Sequence, residues 1–233
     1  MAFDRIRAVL FDKDGTLFDF AASWTDWAAR MLEALSQGQP ARKARLAEVL
    51  RFDPGGGGFA PDSPVIAGTL DETSALIAPH VPMPREDVTE YLSRASAQAR
   101  MQPVVPLGPL LSQLAARPLV LGVATNADER EAHRHLEDAG IVQHFRVILG
   151  CDSGYTPKPA PDMLLAFAAQ TGHAPAEVMM VGDSTHDLIA GRAAGMATVG
   201  VLTGMAAPEV LAPHADIVLP DIGHLPDLLG VPR

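Results

Sequence analysis

Short, largely apolar runs recur along the chain at 8–11 (Ala8-Val9-Leu10-Phe11), 120–124, 147–149, 178–181, 198–202 and 217–219. Each is bounded by polar or glycine-containing segments, which predicts a strand. Residues 128–139, 160–171 and 185–194 carry helical patterning instead. Each is followed by a glycine (Gly140, Gly172, Gly195), the residue that closes a helix most easily in the left-handed conformation. Strands alternating with helices predict an α/β fold, a doubly wound parallel, Rossmann-like sheet. The interval between the first and second strands is too long for a simple crossover. In it, Trp24, Trp27, Met31 and Leu35 recur at helical spacing up to Gly38, with Ser23 and Asp26 as an N-terminal capping pair. A second helix is predicted over 42–52, stopped by Asp53-Pro54 and four glycines. Thr69 and Glu72 form a capping box ahead of a third helix over 70–79, and Pro84 opens a fourth that runs to about residue 101. The pattern therefore predicts a helical bundle at 19–102 inserted into an α/β domain built from 1–18 and 103–233.

Composition narrows the class. A chain of 233 residues with 48% hydrophobic and 20% charged residues fits a soluble catalytic domain plus a small insertion. Asp4, Arg5 and Arg7 lead directly into the first strand, so neither a signal peptide nor a membrane span is expected. One cysteine, Cys151, excludes an internal disulfide framework and fits a reducing, cytoplasmic location, with a buried and inert thiol. The formal net charge of −10, with no basic stripe against it, excludes a nucleic-acid partner. A monomer or homodimer acting on a small molecule is the expectation. His133 and His135 read as solvated on a charged helix, and His186 as a surface residue. Residues 53–63 read as a flexible linker or as a substrate-facing loop. Their glycine run lacks the Lys-Ser or Lys-Thr of a P-loop and follows a helix, so it is not a nucleotide cradle.

The first strand ends in Asp12-Lys13-Asp14-Gly15-Thr16. Side chains i and i+2 of a strand point the same way, so Asp12 and Asp14 converge on one ligand if the extended geometry persists past Phe11. An Asp-Gly turn closing the strand is the plainer alternative. Two carboxylates so close call for a cation or a shared proton. Oxygen ligands select a hard ion, and a site that must also admit phosphate suits Mg²⁺ better than Ca²⁺. Two later strands end in Thr125-Asn126 and in Gly182-Asp183-Ser184, with Asp187 following. Between them Lys158 sits in Thr156-Pro157-Lys158-Pro159, where the prolines hold the backbone away from helix. In open parallel sheets ligands bind beyond the carboxyl ends of the strands, near the reversal of strand order, so these groups are expected to meet.

This ordered set resembles the haloacid dehalogenase-like hydrolase superfamily, and its phosphatase branch in particular. Asp12-x-Asp14-Gly15-Thr16 matches the first family motif, Thr125 the second, Lys158 the third and Gly182-Asp183-Ser184-x-x-Asp187 the fourth. The resemblance implies that Asp12 is a nucleophile forming an aspartyl-phosphate and that Asp14 is the acid–base group. It implies Mg²⁺ held by Asp12, the Asp14 main-chain carbonyl and Asp183, with Asp187 behind them orienting Lys158 or metal-bound water. The phosphate would be bound by backbone N–H groups of Lys13 and Gly15 and by Thr125, Asn126 and Lys158. The inserted bundle corresponds to the superfamily's helical cap. An Asp at position 14 separates the chain from dehalogenases. Sugar phosphomutases with a similar cap carry His where this chain has Trp24, which disfavours that alternative, and the intact motif residues disfavour a non-catalytic phosphate-binding protein. The layout is most like phosphoglycolate phosphatase, although Phe18-Asp19-Phe20 departs from the usual Val-Asp-Ser-like continuation. A carboxylated leaving group would need cap donors, for which Arg42, Lys43, Arg45, Arg51 and the N–H groups of the loop 55–58 are the candidates. Trp24 and Trp27 read as cap core.

Overall fold

The computed structural model describes residues 3–231. Six strands form one parallel sheet: β1 (Ala8–Phe11), β4 (Val120–Ala124), β5 (Val147–Leu149), β6 (Val178–Gly182), β7 (Ala197–Val201) and β8 (Ile217–Leu219). They lie in the order β5-β4-β1-β6-β7-β8. Ala8 stands between Val120 and Val178, and Phe11 between Val123 and Val181. The chain leaves β1 toward β4 and β5, then returns to its other side with β6, so strand order reverses at β1. The crevice outside its carboxyl end is where such sheets bind ligands.

The central strands are short continuous apolar runs because both of their faces are covered. On β1, Val9 and Phe11 enter one core with α5 (Leu107–Ala115), while Ala8 and Leu10 enter a second core with α7 (Asp162–Thr171) and α8 (Thr185–Ala194). The sixth helix, α6 (Glu129–Asp138), packs beside β5.

Residues 20–99 gather around an apolar cluster of their own that includes Trp24, Trp27, Met31, Leu46, Ile77 and Leu92. Its helices are α1 (Phe20–Ser36), α2 (Pro40–Val49), α3 (Leu70–Ile77) and α4 (Arg85–Ser96). The two connections to the α/β sheet run side by side: Phe18 bridges Pro103, and the Asp19 N–H donates to the Gln102 carbonyl at 2.8 Å.

Several local details differ from the sequence pattern. Helix α1 starts at Phe20, not at Ser23, because the Asp19 carboxylate accepts from the Ala22 N–H at 2.8 Å and caps it. Ser23 is buried within the helix and its hydroxyl accepts from the Gln102 N–H at 3.0 Å, tying the two connections together. Helix α2 stops at Val49, with Arg51 turning to a φ of 51°. The segment 53–63 is not featureless: β2 (Phe52–Asp53) and β3 (Gly58–Phe59) form a small hairpin. Phe52 and Phe59 meet edge to face at 4.9 Å within the cap core, so burial of two aromatic rings holds the glycine-rich turn.

Candidate active site

The site is assembled from strand ends. Asp12 leaves β1 with its N–H on the Val181 carbonyl at 2.9 Å, and its side chain is buried. Lys158 reaches it from the loop before α7. Its ammonium is saturated by Asp12 Oδ1 at 2.7 Å, Asp187 Oδ1 at 2.6 Å and the Ala124 carbonyl at 2.7 Å. Asp187 is fixed in turn by the start of α8. Its Oδ2 accepts from the Ser184 N–H at 3.1 Å and from the Ser184 hydroxyl at 2.7 Å, a capping box. Both Asp187 oxygens are therefore engaged, and the residue holds Lys158 in place.

Asp183 packs where no side chain could replace glycine. Gly15 has a φ of +81°, and a Cβ there would lie 2.3 Å from Asp183 Oδ2. A Cβ on Gly204 would come within 1.7 Å of the same atom. The Thr203 hydroxyl donates to the Gly15 carbonyl at 2.6 Å, and the Thr16 hydroxyl to Asp183 Oδ1 at 3.4 Å. The loop 203–204 after β7 thus completes the wall around Asp183. Its only signal in the sequence is Thr-Gly at the end of a strand-like run.

Oxygens of Asp12, Asp183 and Asp187 lie within 4.8 Å of one another, all in buried residues. Burial, with Asp187 and Asp14 nearby and only Lys158 in opposition, pushes the Asp12 carboxyl up to about 7. Burial and the neighbouring Asp187 and Asp12 likewise drive Asp183 well above the usual carboxylate range. Burial alone would favour a neutral Lys158, but Asp12 and Asp187 outweigh it and hold the ammonium charged. The cluster carries more buried negative charge than its lysine offsets, and a hard cation with oxygen ligands fits that donor set.

Asp14 departs from the expected convergence. Its carboxylate is not among the three clustered acids. Oδ1 accepts from the Trp24 indole N–H of α1 at 3.0 Å, and Oδ2 pairs with Lys13 Nζ at 2.8 Å. Strand β1 ends at Phe11, before either carboxylate, and the Trp24 and Lys13 contacts draw Asp14 away from the cluster. The Lys13 side chain is fully buried and turned away from the cavity, onto Asp14, Glu131 and His135. The Gly15 N–H, expected to face phosphate, donates instead to the Phe18 carbonyl at 2.7 Å. The Asn126 side chain is not free for phosphate either. It donates to the carbonyls of Ala67 and Lys158, both at 2.8 Å, and accepts from the Lys158 N–H at 3.0 Å, linking the cap to the lysine loop. Thr125 is buried against the cavity, its hydroxyl oxygen accepting from the Ala127 N–H at 3.1 Å, which leaves the hydroxyl hydrogen to donate.

A cavity of about 90 Å³ joins these groups to the cap, bounded by Asp12, Asp14, Thr125, Lys158 and Asp183 below and by Phe20, Trp24, Trp27, Ile66 and Thr69 above. A second, wider cleft of about 790 Å³ shares His186 and Gly68 with it as lining residues. His186 is therefore a lining residue, not a plain surface one. His135 is buried, because Glu131, Ala132, His135 and Leu136 share the inward face of α6. Cys151 is half-buried, and burial together with Asp128 pushes its thiol up to about 12, which disfavours the reactive thiolate. The cationic cap residues are occupied elsewhere. Lys43 pairs with Glu33, Arg45 with Glu48 and Arg51 with Asp62, each at 2.7 Å, and Arg42 donates to the Ser36 carbonyl at 3.2 Å. Among the described residues no arginine lines either space.

Fold and site together define an α/β protein with a cluster of buried carboxylates at the carboxyl edge of a parallel sheet, under an inserted helical bundle. The chain belongs to the haloacid dehalogenase-like hydrolases, whose family pattern it matches over residues 6–195, and falls in their phosphatase branch. It is 30% identical over 228 residues to N-acetylmuramic acid 6-phosphate phosphatase of Pseudomonas aeruginosa, covering 97% of this chain and 95% of that one. It is 32% identical over 234 residues to phosphoglycolate phosphatase of Yersinia pseudotuberculosis, covering 99% and 96%. In fold it is similar to the HAD phosphatase of Thermococcus onnurineus, with a TM-score of 0.69 at 23% identity over 98% of this chain and all of that one. No helix among the described residues is long and apolar enough to cross a membrane.

Proposed function

We propose that the chain hydrolyses the phosphomonoester of a small metabolite in two displacements through Asp12. The observation that carries this is the Asp12–Lys158–Asp187 arrangement facing the cavity, with Asp14 beside it. A carboxylate held by a fixed ammonium has one rotamer and a defined line of attack, and a covalent intermediate splits one difficult transfer into two. Lys158 also places positive charge where phosphoryl oxygens gather charge, and the Thr125 hydroxyl adds a donor. Asp14, adjacent but outside the carboxylate cluster, is placed to give a proton to the leaving alcohol and later to take one from water. Asp12, Asp183 and the Asp14 main-chain carbonyl are the groups that would hold Mg²⁺. When bound, the ion supplies charge neutralisation and a template for the phosphate. Asp183→Ala is expected to weaken Mg²⁺ binding, read by calorimetric titration of the ion alone, by more than the roughly 10–100-fold that loss of an outer partner costs. An unchanged titration would remove Asp183 from the ligand set.

Two substrates come from the names of full-length relatives: phosphoglycolate, which the motif layout also favours, and N-acetylmuramic acid 6-phosphate. The cavity bears on the choice. Its cap wall combines aromatic and aliphatic side chains with the hydroxyls of Thr69, Thr73 and Ser96 and offers no cation among the described residues, and its one lysine already has three acceptors. The cleft beyond is bordered by Glu72, by Asp62 in its pair with Arg51, and by His186. These features support a sugar-sized leaving group over bare glycolate. A panel of phosphomonoesters assayed with Mg²⁺ tests both levels. Phosphate release from p-nitrophenyl phosphate tests the reaction, and the kcat/KM ranking of hexose 6-phosphates against phosphoglycolate tests the leaving group. No metal-dependent release from any ester would defeat the reaction, and phosphoglycolate ranking first would defeat the sugar-sized leaving group. The Trp24–Asp14 bond occupies the place where a mutase would carry its histidine, which supports hydrolysis over phosphoryl return.

A further inference from the structure

At the side of the cavity, where Glu131 and Ser96 join its lining, Asp14 is held by a buried polar unit whose other members the hydrolytic scheme does not use. The ammonium of Lys13 is fully buried and meets three acceptors: Asp14 Oδ2 at 2.8 Å, His135 Nδ1 at 3.0 Å and Glu131 Oε1 at 3.1 Å. His135 faces an ammonium donor with Nδ1, so its hydrogen sits on Nε2, which donates to the Ser96 carbonyl at 2.9 Å. Glu131 Oε2 accepts from the Ser96 hydroxyl at 2.5 Å. The Trp24 ring lies 5.4 Å from Lys13 Nζ, while its N–H holds the other oxygen of Asp14.

We propose that Glu131 is a positioning residue for Asp14, acting through Lys13; the inference rests on the acid–base role given to Asp14 above. A lysine ammonium is a point charge on a flexible four-carbon stem. It becomes a directional support only when each of its three hydrogens has an acceptor. Two of those acceptors, Glu131 and His135, come from one face of α6, and both are locked by Ser96 of α4. Glu131 is the charged member of the pair and thus the anchor that keeps Lys13 aimed at Asp14 Oδ2. A proton donor must sit within hydrogen-bond reach of the leaving oxygen, and a shift of about 1 Å in such a group can cost on the order of 100-fold. Loss of Glu131 therefore falls on the proton-transfer role and spares attack by Asp12.

The test compares kcat/KM across aryl and alkyl phosphates of graded leaving-group acidity. Glu131→Gln keeps the shape of the residue and removes its charge. It is expected to lower turnover of alkyl phosphates by roughly tenfold or more, part of the 10²–10⁴ that acid–base catalysis supplies. Turnover of p-nitrophenyl phosphate, whose leaving group needs no proton, should change far less. Asp14→Asn should give the same steepening, more strongly. Glu131→Gln added to Lys13→Met should cost little beyond Lys13→Met alone. If Glu131→Gln does not fold, Ser96→Ala removes one hydroxyl from Glu131 and should steepen the dependence in the same sense. Equal losses on all esters, no change, or independent effects of Lys13 and Glu131 would overturn the inference. If Asp14→Asn itself shows no steepening, the acid–base assignment fails; if it does while Glu131→Gln does not, only the role of Glu131 fails.

Discussion

Asp12→Asn is expected to give a folded protein whose phosphatase activity is lower by at least roughly three orders of magnitude, and up to the ~10⁶-fold seen when a nucleophile is removed. The amide keeps the size of the side chain and an oxygen that can accept from Lys158 across the present 2.7 Å. Stability should not suffer. Asp12 is one of several carboxylates crowded into a buried space, where burial and its neighbours already push it up to about 7. Removing its charge relieves repulsion with Asp187 and Asp183. Activity, by contrast, has no substitute nucleophile. Asp187 has both oxygens engaged, Asp183 is walled in by Gly15 and Gly204, and Asp14 is held by Trp24 and Lys13. Steady-state assay beside thermal denaturation checks both halves of the expectation, and near-normal turnover would rule out the covalent route.

Lys158→Met should damage both properties. The side chain is 3% exposed, and its ammonium is the shared counter-charge of Asp12 and Asp187. Methionine fills most of the volume but leaves two buried carboxylates facing each other and removes three hydrogen bonds. Breaking a buried ion pair from one side costs about 3–5 kcal/mol. Part of that should be recovered in saturating Mg²⁺, because a bound cation restores positive charge to the same cluster. Activity should fall even where the variant stays folded, since neither the rotamer of Asp12 nor the charge facing the phosphate is preserved. Chemical denaturation with and without Mg²⁺ measures this. A variant as stable as the parent would show that the ion pair contributes nothing net to the fold.

The α/β architecture was legible because β1, β4 and β6 are uninterrupted apolar runs, and the residues at their carboxyl ends are brought together by strand order alone. Asp12, Lys158, Asp183 and Asp187 could be named from motif order. What those side chains touch could not. Lys13 read only as a backbone N–H of a phosphate turn, and nothing pointed to the partners of its side chain, Glu131 and His135, which lie more than a hundred residues away on a helix whose charge suggested solvation. The spacing of Glu131, Ala132, His135 and Leu136 along one face was the available signal, masked because half of that face is polar. The hairpin at 52–59 was hidden for a different reason: glycine composition indicates a turn but not the aromatic pair that pins it. The cap cations looked available for substrate because sequence does not reveal that neighbouring acids on the same surface already hold them.

The central claim is that phosphorus passes through Asp12, and the stereochemical course of transfer tests it most directly. Hydrolysis of a chiral, isotopically labelled thiophosphate monoester in labelled water reports whether phosphorus undergoes one in-line displacement or two. Two displacements, first by Asp12 and then by water, require net retention of configuration. Net inversion would mean that water attacks the ester directly, leaving Asp12 as no more than a ligand in the site.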